Sequence, residues 1–426
     1  MKPNTQTFDI CIVGYGPTGG TLANLIAQCG LSVVVIEREH QMYHLPRAVH
    51  FDGETMRVFQ SIGIADQLSK KVRINPGMRF VDQQKSVILN WPRPQEIGPQ
   101  GWHASYRLHQ PDLEQLLREK LSSYVNATVM TDTEVVAVIE GSESVEVVCR
   151  RAIDASEIVV NTKYVVGCDG ANSLVRRLIG SGIEDLGFKE KWLVVDLLLK
   201  RERPDLGDHS IQFCDPIRPM TYCRNPGNRR RWEITMLEGE TDEDITQSDR
   251  IWKLLSPWIT ADDADLERKA VYTFKSVLAD KWRKGRLIIA GDAAHLTPPF
   301  MGQGMCAGIR DAANLAWKLV LRVNGDANDG ILNSYQQERA PNVREFIETA
   351  IRLGGLINTM DGKKAIEKSH STSNGAARMS SLLPPLGVSN LDGLISGSSP
   401  HSGSLFSQPI LRNGKRLDDE IGYSPV

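Results

Sequence analysis

Residues 8–37 read FDICIVGYGPTGGTLANLIAQCGLSVVVIE, and their order of elements decides the fold. Residues 8–13 are apolar with strand composition. Gly14-Tyr15-Gly16-Pro17-Thr18-Gly19 comes next and spells G-x-G-x-x-G. Residues 21–28 then carry Leu22, Leu25 and Ile26 at helical spacing, and Gly30 closes the helix. Residues 31–36 form a second buried strand, ended by Glu37. Each glycine has its own task. Gly14 permits the tight turn, Gly16 lets a pyrophosphate approach the backbone, and Gly19 lets helix and strand pack closely. The helix N-terminus offers free N–H groups and the positive end of its dipole. Glu37, eighteen residues past Gly19, is placed to accept hydrogen bonds from ribose hydroxyls. An acid there disfavours a 2′-phosphate, so the expected ligand is FAD or NAD rather than NADP.

The bulk numbers narrow the class. A chain of 426 residues with 41% hydrophobic and 24% charged residues is globular, with length for two or three domains. A net charge of −2 gives no reason to expect a nucleic-acid partner. Arg229-Arg230-Arg231 reads as a solvated loop. The seven cysteines are scattered with no C-x-x-C, which points to reduced thiols in a cytoplasm. No metal site is expected. The polar start at residues 1–7 leaves no room for a signal peptide, and no apolar run approaches the ~20 residues that span a bilayer.

Two later strands end as the first does, on glycine and aspartate. Residues 162–166 lead into Gly167-Cys168-Asp169-Gly170, and residues 286–290 into Gly291-Asp292-Ala293-Ala294-His295. Pro298-Pro299, Gly302-Gln303-Gly304 and a helix over 305–323 come after these. Strand ends are where open α/β sheets contact ligands, and Gly302 and Gly304 leave bare N–H groups at a second helix start. Two such helix ends with Asp169 and Asp292 suit one long ligand lying across a sheet. From about Trp192 to Phe274 short alternating segments (210–214, 220–224, 231–237, 270–274) separated by Pro, Gly and Asp turns predict an inserted antiparallel sheet. Helices are expected over 110–122, with Gln110 at the cap and Pro111 in the first turn, and over 246–255, 331–338 and 342–360. From residue 369 the Ser, Gly, Asn and Pro content reads as a linker or tail.

The three motifs in this order, spread over residues 8–353, resemble the class A flavoprotein monooxygenases typified by para-hydroxybenzoate hydroxylase. Residues 46–52 (PRAVHFD), 282–286 (WRKGR) and 298–311 (PPFMGQGMCAGIRD) look most like the 3-(3-hydroxyphenyl)propionate hydroxylase subgroup. The resemblance implies an α/β fold: a Rossmann-like FAD-binding domain, an inserted antiparallel-sheet substrate domain and C-terminal helices. The FAD-binding domain would take residues 1–75, 106–180 and 280–368. The substrate domain would take 76–105 and 181–279, leaving 369–426 as linker or tail. Many relatives continue into a thioredoxin-like domain, and residues 414–420 look like its beginning, so the chain is either short by nature or truncated.

The resemblance also implies roles. Gly14–Gly19 (with Tyr15, Pro17 and Thr18), Glu37 and Arg38 would hold the ADP half of FAD. Arg47, Ala48, Arg107 and Gln110 would reach the pyrophosphate and ribityl chain, although Arg47 reads equally as a surface salt bridge. Asp169 belongs to a motif linked to FAD and the nicotinamide donor, and Gly291-Asp292 would bind ribityl hydroxyls. Pro299, Gly302, Gly304, Met305 and Cys306 would face the flavin ring. The reaction implied is hydroxylation of a small aromatic substrate, with NADH or NADPH as donor and O2 as co-substrate, through a C4a-hydroperoxyflavin. The phenol needs a base. His50, with an ordinary pKa of about 6.5, is one candidate, although it reads equally as structural, and Tyr222 and Tyr272 are its rivals. Pro298 and Pro299 would border the ring, Arg218 could pair with a substrate carboxylate, and His295 reads as a residue that pins its own loop. A homodimer is left open. Competing readings are a halogenase, epoxidase or dehydrogenase of the same fold, or a non-catalytic FAD- or NAD-binding protein. Trp252 and Trp258 do not form the W-x-W-x-I-P of a halogenase, and a disulfide reductase would need a second fingerprint and a paired redox cysteine motif.

Overall fold

The computed structural model describes residues 6–357, 377–379, 382–387 and 399–422. The first apolar run is the strand Gln6–Val13, inside an eight-stranded sheet. Val33–Ile36 and Glu157–Gly167 flank it in parallel, and Ala127–Met130 and Leu287–Ile289 extend the parallel row on either side. These strands read as continuous apolar runs because both faces are covered: Ile10, Ile12, Val33, Val35, Val165 and Val166 are fully buried. The helix Pro17–Gln28 lies on one face with Leu22, Ala23 and Ile26 inward, each large side chain contributing about 1.5–3 kcal/mol. The helix Gly304–Asn324 packs beside it.

Register sets the site. Val13 pairs with Gly167 and with Ile36, and Gly167 pairs with Ile289. The four strands therefore end level. The residues just past those ends (Gly14, Glu37, Cys168-Asp169 and Gly291-Asp292) stand in one row at the carboxyl edge, where parallel strands deliver their loops to a ligand.

The inserted sheet has nine strands. Its centre is the pair Ile183–Leu199 and Ala264–Ala279, joined in turn by Arg229–Thr235, Met220–Arg224, Ser210–Phe213, Gly77–Val81 and Val87–Pro92. The central pair runs far beyond the expected 270–274 because bulges after Asp185 and Asp196 break the two-residue alternation without ending the pairing. One face buries Leu193, Val195, Tyr222, Trp232 and Ile234 against the helix Ser248–Leu255. The other carries Phe80, Trp91 and Trp192 toward Phe300 and Phe346. A third, small sheet of His50–Asp52, Ser105–Arg107 and Arg73–Ile74 lies at the junction.

Two expectations are corrected here. Arg229-Arg230-Arg231 is no solvated loop but the start of the strand Arg229–Thr235, with Arg231 buried on Asp196 (Nε to Oδ1, 2.7 Å). The helices expected over 331–338 and 342–360 are one helix, Asn333–Ile357, with Pro341 inside it. A helical proline costs about 3 kcal/mol; burial of Val343, Phe346, Ile347, Ala350 and Leu353 just beyond it offsets that cost. The helix end expected near residue 360 and the tail start at 369–376 lie outside the described residues. Where described, the tail docks: Arg57 pairs with Asp418 at 2.6 Å, and the Arg416 guanidinium lies 3.7 Å from the Trp102 ring centroid. Among the described residues no helix is long and apolar enough to cross a membrane.

Candidate active site

At the row of strand ends the glycines divide their work as expected. Gly14 has φ +102°, and a Cβ there would stand 2.4 Å from the Cys168 carbonyl oxygen. A Cβ at Gly19 would stand 2.1 Å from the Gly14 carbonyl oxygen, whereas at Gly16 it would meet nothing within 4 Å. Turn, close packing and open approach are thus three separate residues. Thr18 Oγ1 occupies the space a Cβ would need at Gly291 (2.6 Å) and at Gly308 (2.2 Å). The starts of the helices Pro17–Gln28 and Gly304–Asn324 and the turn Gly291–Ala293 therefore converge on one threonine. Neither helix start has a capping side chain or an acid in its first turn, and a Cβ at Gly304 would also meet open space. Their first N–H groups, including those of Met305 and Cys306, lack intrahelical acceptors.

Acceptors complement these donors. Asp169 accepts from the N–H groups of Leu174 (2.7 Å) and Val175 (3.3 Å) through Oδ2, while its Oδ1 is buried without a partner among the described residues. Asp292 is exposed, and among the described residues no donor bonds its carboxylate. Yet desolvation pushes this carboxyl above its ordinary range, against the pull of His295 and Arg47. Exposure and desolvation coexist where a side chain is open to solvent on one side and surrounded by protein on the others. Glu37 accepts from Tyr15 N–H (2.7 Å) and Glu39 N–H (3.0 Å) and keeps acceptor capacity. Tyr15 is buried beneath Arg118, whose guanidinium lies 4.2 Å from the ring centroid. Arg38 is exposed and paired with Glu39 at 3.1 Å. Arg47 makes no ion pair among the described residues; its guanidinium lies 5.1 Å from the Tyr43 ring centroid. Gln110 is spent on shape: its Oε1 accepts from Arg47 N–H (3.1 Å) and Ala48 N–H (2.6 Å), and its Nε2 donates to Glu114. Bare N–H pairs, an orphaned aspartate oxygen and an unpaired carboxylate along one groove fit FAD, whose pyrophosphate needs donors and whose ribityl hydroxyls need acceptors. Asp292→Ala should lower FAD affinity about tenfold, the worth of one or two lost hydrogen bonds. The flavin-to-protein absorbance ratio after dialysis checks this, and full retention would remove Asp292 from the site.

Beyond the groove lies a cavity of about 60 Å³ between the turn Pro299–Met301 and the inserted sheet. His50, Arg93, Arg107, Gln212, Thr221, Cys223 and Glu233 line it. Arg107 is placed here; it pairs across the small sheet with His50 and donates through Nη2 to Ser210 Oγ at 2.6 Å. His50 is 5% exposed and both its nitrogens are occupied. Nδ1 lies 3.1 Å from the Gly302 carbonyl oxygen, which can only accept, so Nδ1 carries the proton and Nε2 accepts from Ser105 Oγ at 2.8 Å. Burial, then the charges of Arg107 and Arg93, lower the His50 pKa from 6.5 to about 3. The premise of a base poised near neutrality is corrected: this histidine stays neutral and anchors Gly302, whose φ of +62° and contact with the ring require glycine.

Three further candidates lie elsewhere. Along Met220–Arg224 alternation turns Thr221 and Cys223 to the cavity and Tyr222 to the opposite face, 4.9 Å from the Trp232 ring. Arg218 is closed by a bidentate pair with Glu240 (2.9 and 2.6 Å). Tyr272 does not line the cavity; it sits under Arg268, 5.1 Å from its ring centroid. Pro299 lines the cavity and Pro298 is buried beside it. Cys306 is buried, its thiol pushed up to about 12, and inert. Behind the turn, Arg310 joins Asp52, Glu54 and Gln303, while Asp311 accepts from Gly291 N–H (3.0 Å), His295 Nε2 (2.6 Å) and Arg339 Nε (2.8 Å). His295 thus pins its loop, as read from the sequence. Arg93, Ser105, Gln212 and Glu233 carried no motif. The phase of the strands, fixed by tertiary pairing, brings Gln212 and Glu233 to the cavity wall; Arg93 joins them from just past the strand Val87–Pro92, and Ser105 stands behind His50.

A family model described as "FAD binding domain" matches residues 7–350. The chain is 39% identical to the probable NADH-specific resorcinol 4-hydroxylase of Rhodococcus jostii (strain RHA1), over 85% of this chain and 68% of that protein. It is 32% identical to the 3-(3-hydroxy-phenyl)propionate/3-hydroxycinnamic acid hydroxylase of Burkholderia cenocepacia (strain HI2424), over 99% of this chain and 79% of that protein. Against the corresponding hydroxylase of Comamonas testosteroni it spans 58% of the relative's length at 34% identity. The fold is similar to that of p-nitrophenol 4-monooxygenase from Pseudomonas putida DLL-E4, with a TM-score of 0.77 at 21% identity over 86% of this chain and 93% of that one. The match across more than three quarters of the sequence, onto a groove built for a dinucleotide, makes this chain a member of the FAD binding domain family, among the class A aromatic hydroxylases.

Proposed function

We propose that this chain hydroxylates a small, single-ring phenol in the cavity beside Pro299–Met301, with NADH as electron donor and O2 as co-substrate. One observation supports this above the others: the same short turn bounds the cavity on one side and opens the bare helix start of the cofactor groove on the other. Bound FAD would supply electron transfer from the nicotinamide and activation of oxygen. The chain's own residues do the rest. The N–H groups of Gly304, Met305 and Cys306 offer fixed donors to negative charge at the groove's end. Arg107 and Arg93 place two cations on the cavity wall, and a cation within about 4–6 Å lowers a neighbouring acid by 1–3 pKa units. A phenol, ordinarily near 10, is thus shifted toward its phenolate, the proton passing to solvent water as the ring enters, with His50 holding the turn rather than taking the proton. Trp91, Phe300 and Met301 keep that charge away from bulk water. We also place the protein in the cytoplasm, on the unpaired state of its cysteines.

The test uses the FAD-loaded protein with NADH and a panel of phenols, following product as well as NADH. Acceleration of NADH oxidation with matching hydroxylated product is expected, and a panel without either ends the proposal. Arg107→Met should lower kcat/KM about 10- to 100-fold at pH 7 and recover as the pH approaches the phenol's own pKa. A uniform loss at all pH values would assign Arg107 to binding alone.

A further inference from the structure

Most polar atoms of the cavity wall are already satisfied. Both His50 nitrogens are used. Asn75 donates to Ser105 Oγ (2.9 Å) and accepts from Gly77 N–H (3.2 Å). Gln212 donates to the Met220 carbonyl (3.0 Å) and accepts from Thr221 Oγ1 (2.6 Å). Two groups differ. Arg107 is 6% exposed and its Nε is buried with no acceptor among the described residues. Glu233 receives no hydrogen bond among the described residues; its ion-pair contact, Arg231 Nη1, stands at 3.6 Å, beyond hydrogen-bond reach. Arg231 is committed elsewhere, through Nε and Nη2 to Asp196 (2.7 and 3.0 Å) and Nη1 to the Arg47 carbonyl (2.8 Å). Arg268, behind it, also faces Asp196, at 3.4 Å.

We propose that Arg107 and Glu233 select a ring with two hydroxyls, a phenolate at the cation and a neutral hydroxyl donating to the carboxylate, and reject a phenol with a carboxylate side chain. This rests on the hydroxylase reading above. With His50 neutral, Arg93, Arg107 and Glu233 give the lining one net positive charge when Glu233 is ionised; burial raises that carboxyl and the charges of Arg231 and Arg107 draw it down. One phenolate balances it. A carboxylated phenolate brings a second negative charge toward Glu233, and the guanidinium that might have taken it, Arg218, is closed by Glu240.

The experiment compares resorcinol with 3-(3-hydroxyphenyl)propionate on the FAD-loaded enzyme. It measures kcat/KM for coupled product and, without NADH, Kd by calorimetry. Resorcinol should be favoured at least tenfold in both. Glu233→Gln should narrow that ratio by about tenfold, the worth of one hydrogen bond to a charged group, with FAD content unchanged. Preference for the carboxylated ring, or a ratio that Glu233→Gln leaves unmoved within twofold, overturns the proposal while the hydroxylase reading stands. Product from neither ring nor any other phenol sinks both. If the variant fails to fold, the wild-type Kd comparison alone decides.

Discussion

Gly16→Ala should purify as a well-folded, colourless protein, and Gly14→Ala should scarcely fold at all. The two glycines are two residues apart and share a motif, but the protein needs only one of them for itself. A methyl group at Gly14 meets the Cys168 carbonyl at 2.4 Å, on a backbone held by the Cys168 N–H bond to Val13, and φ is +102°. Strain of that kind costs about 1–3 kcal/mol, and the backbone overlap adds to it. At Gly16 the methyl meets no protein atom within 4 Å and the backbone is extended, so stability should change by no more than about 0.5 kcal/mol. Only the coenzyme loses its space. Thermal melts and the flavin absorbance ratio measured on both variants check this, and a yellow, stoichiometrically loaded Gly16→Ala would contradict the groove.

Asp311→Ala should be the most damaging substitution outside the glycines, costing about 3–5 kcal/mol of a total of about 5–15. It strips three donors at once: Gly291 N–H, His295 and Arg339, all buried. Urea unfolding reads the loss directly, and FAD should leave with the turn that carries Asp292. A midpoint unchanged within error would show that the network contributes nothing. The same carboxyl gives a pH signature. Burial alone would raise it, but the charges of His295 and Arg339 take it from 3.8 down to about 2. Its contribution is complete above pH 3.8 and disappears as the pH falls toward 2. His50, lowered from 6.5 to about 3, acts earlier: the unfolded chain takes its proton below pH 6.5 and the folded one does not, so stability begins to decline there.

The row of strand ends was readable because its signals are local. Gly14, Gly16, Gly19 and Glu37 sit within one strand–helix–strand unit, and Asp169 and Asp292 end strands whose apolar runs are unmistakable. The cavity wall was not, because it depends on phase. Tyr222 read as a candidate base, but pairing with Arg229–Thr235 turns Cys223, not Tyr222, to the cavity. Bulges hid the full length of Ile183–Leu199 for the same reason. Arg218 looked available because its partner Glu240 is distant in sequence, and His50 looked titratable because its burial, and then the nearness of Arg107 and Arg93, arise only in the folded chain.

The segment carrying Pro46 and Arg47 is gripped twice. Gln110, from the coenzyme side, holds the N–H groups of Arg47 and Ala48, while Arg231 and Arg268, from the inserted sheet, hold the carbonyls of Pro46 and Arg47. Three residues further on stands His50. Thermodynamic reciprocity then applies: whatever shifts this strap from one side alters the free energy of occupancy on the other. Attempts to redesign ring preference through Asp196, Arg231 or Arg268 will therefore be felt as altered coenzyme retention, and selection for tighter FAD will retune the choice of ring.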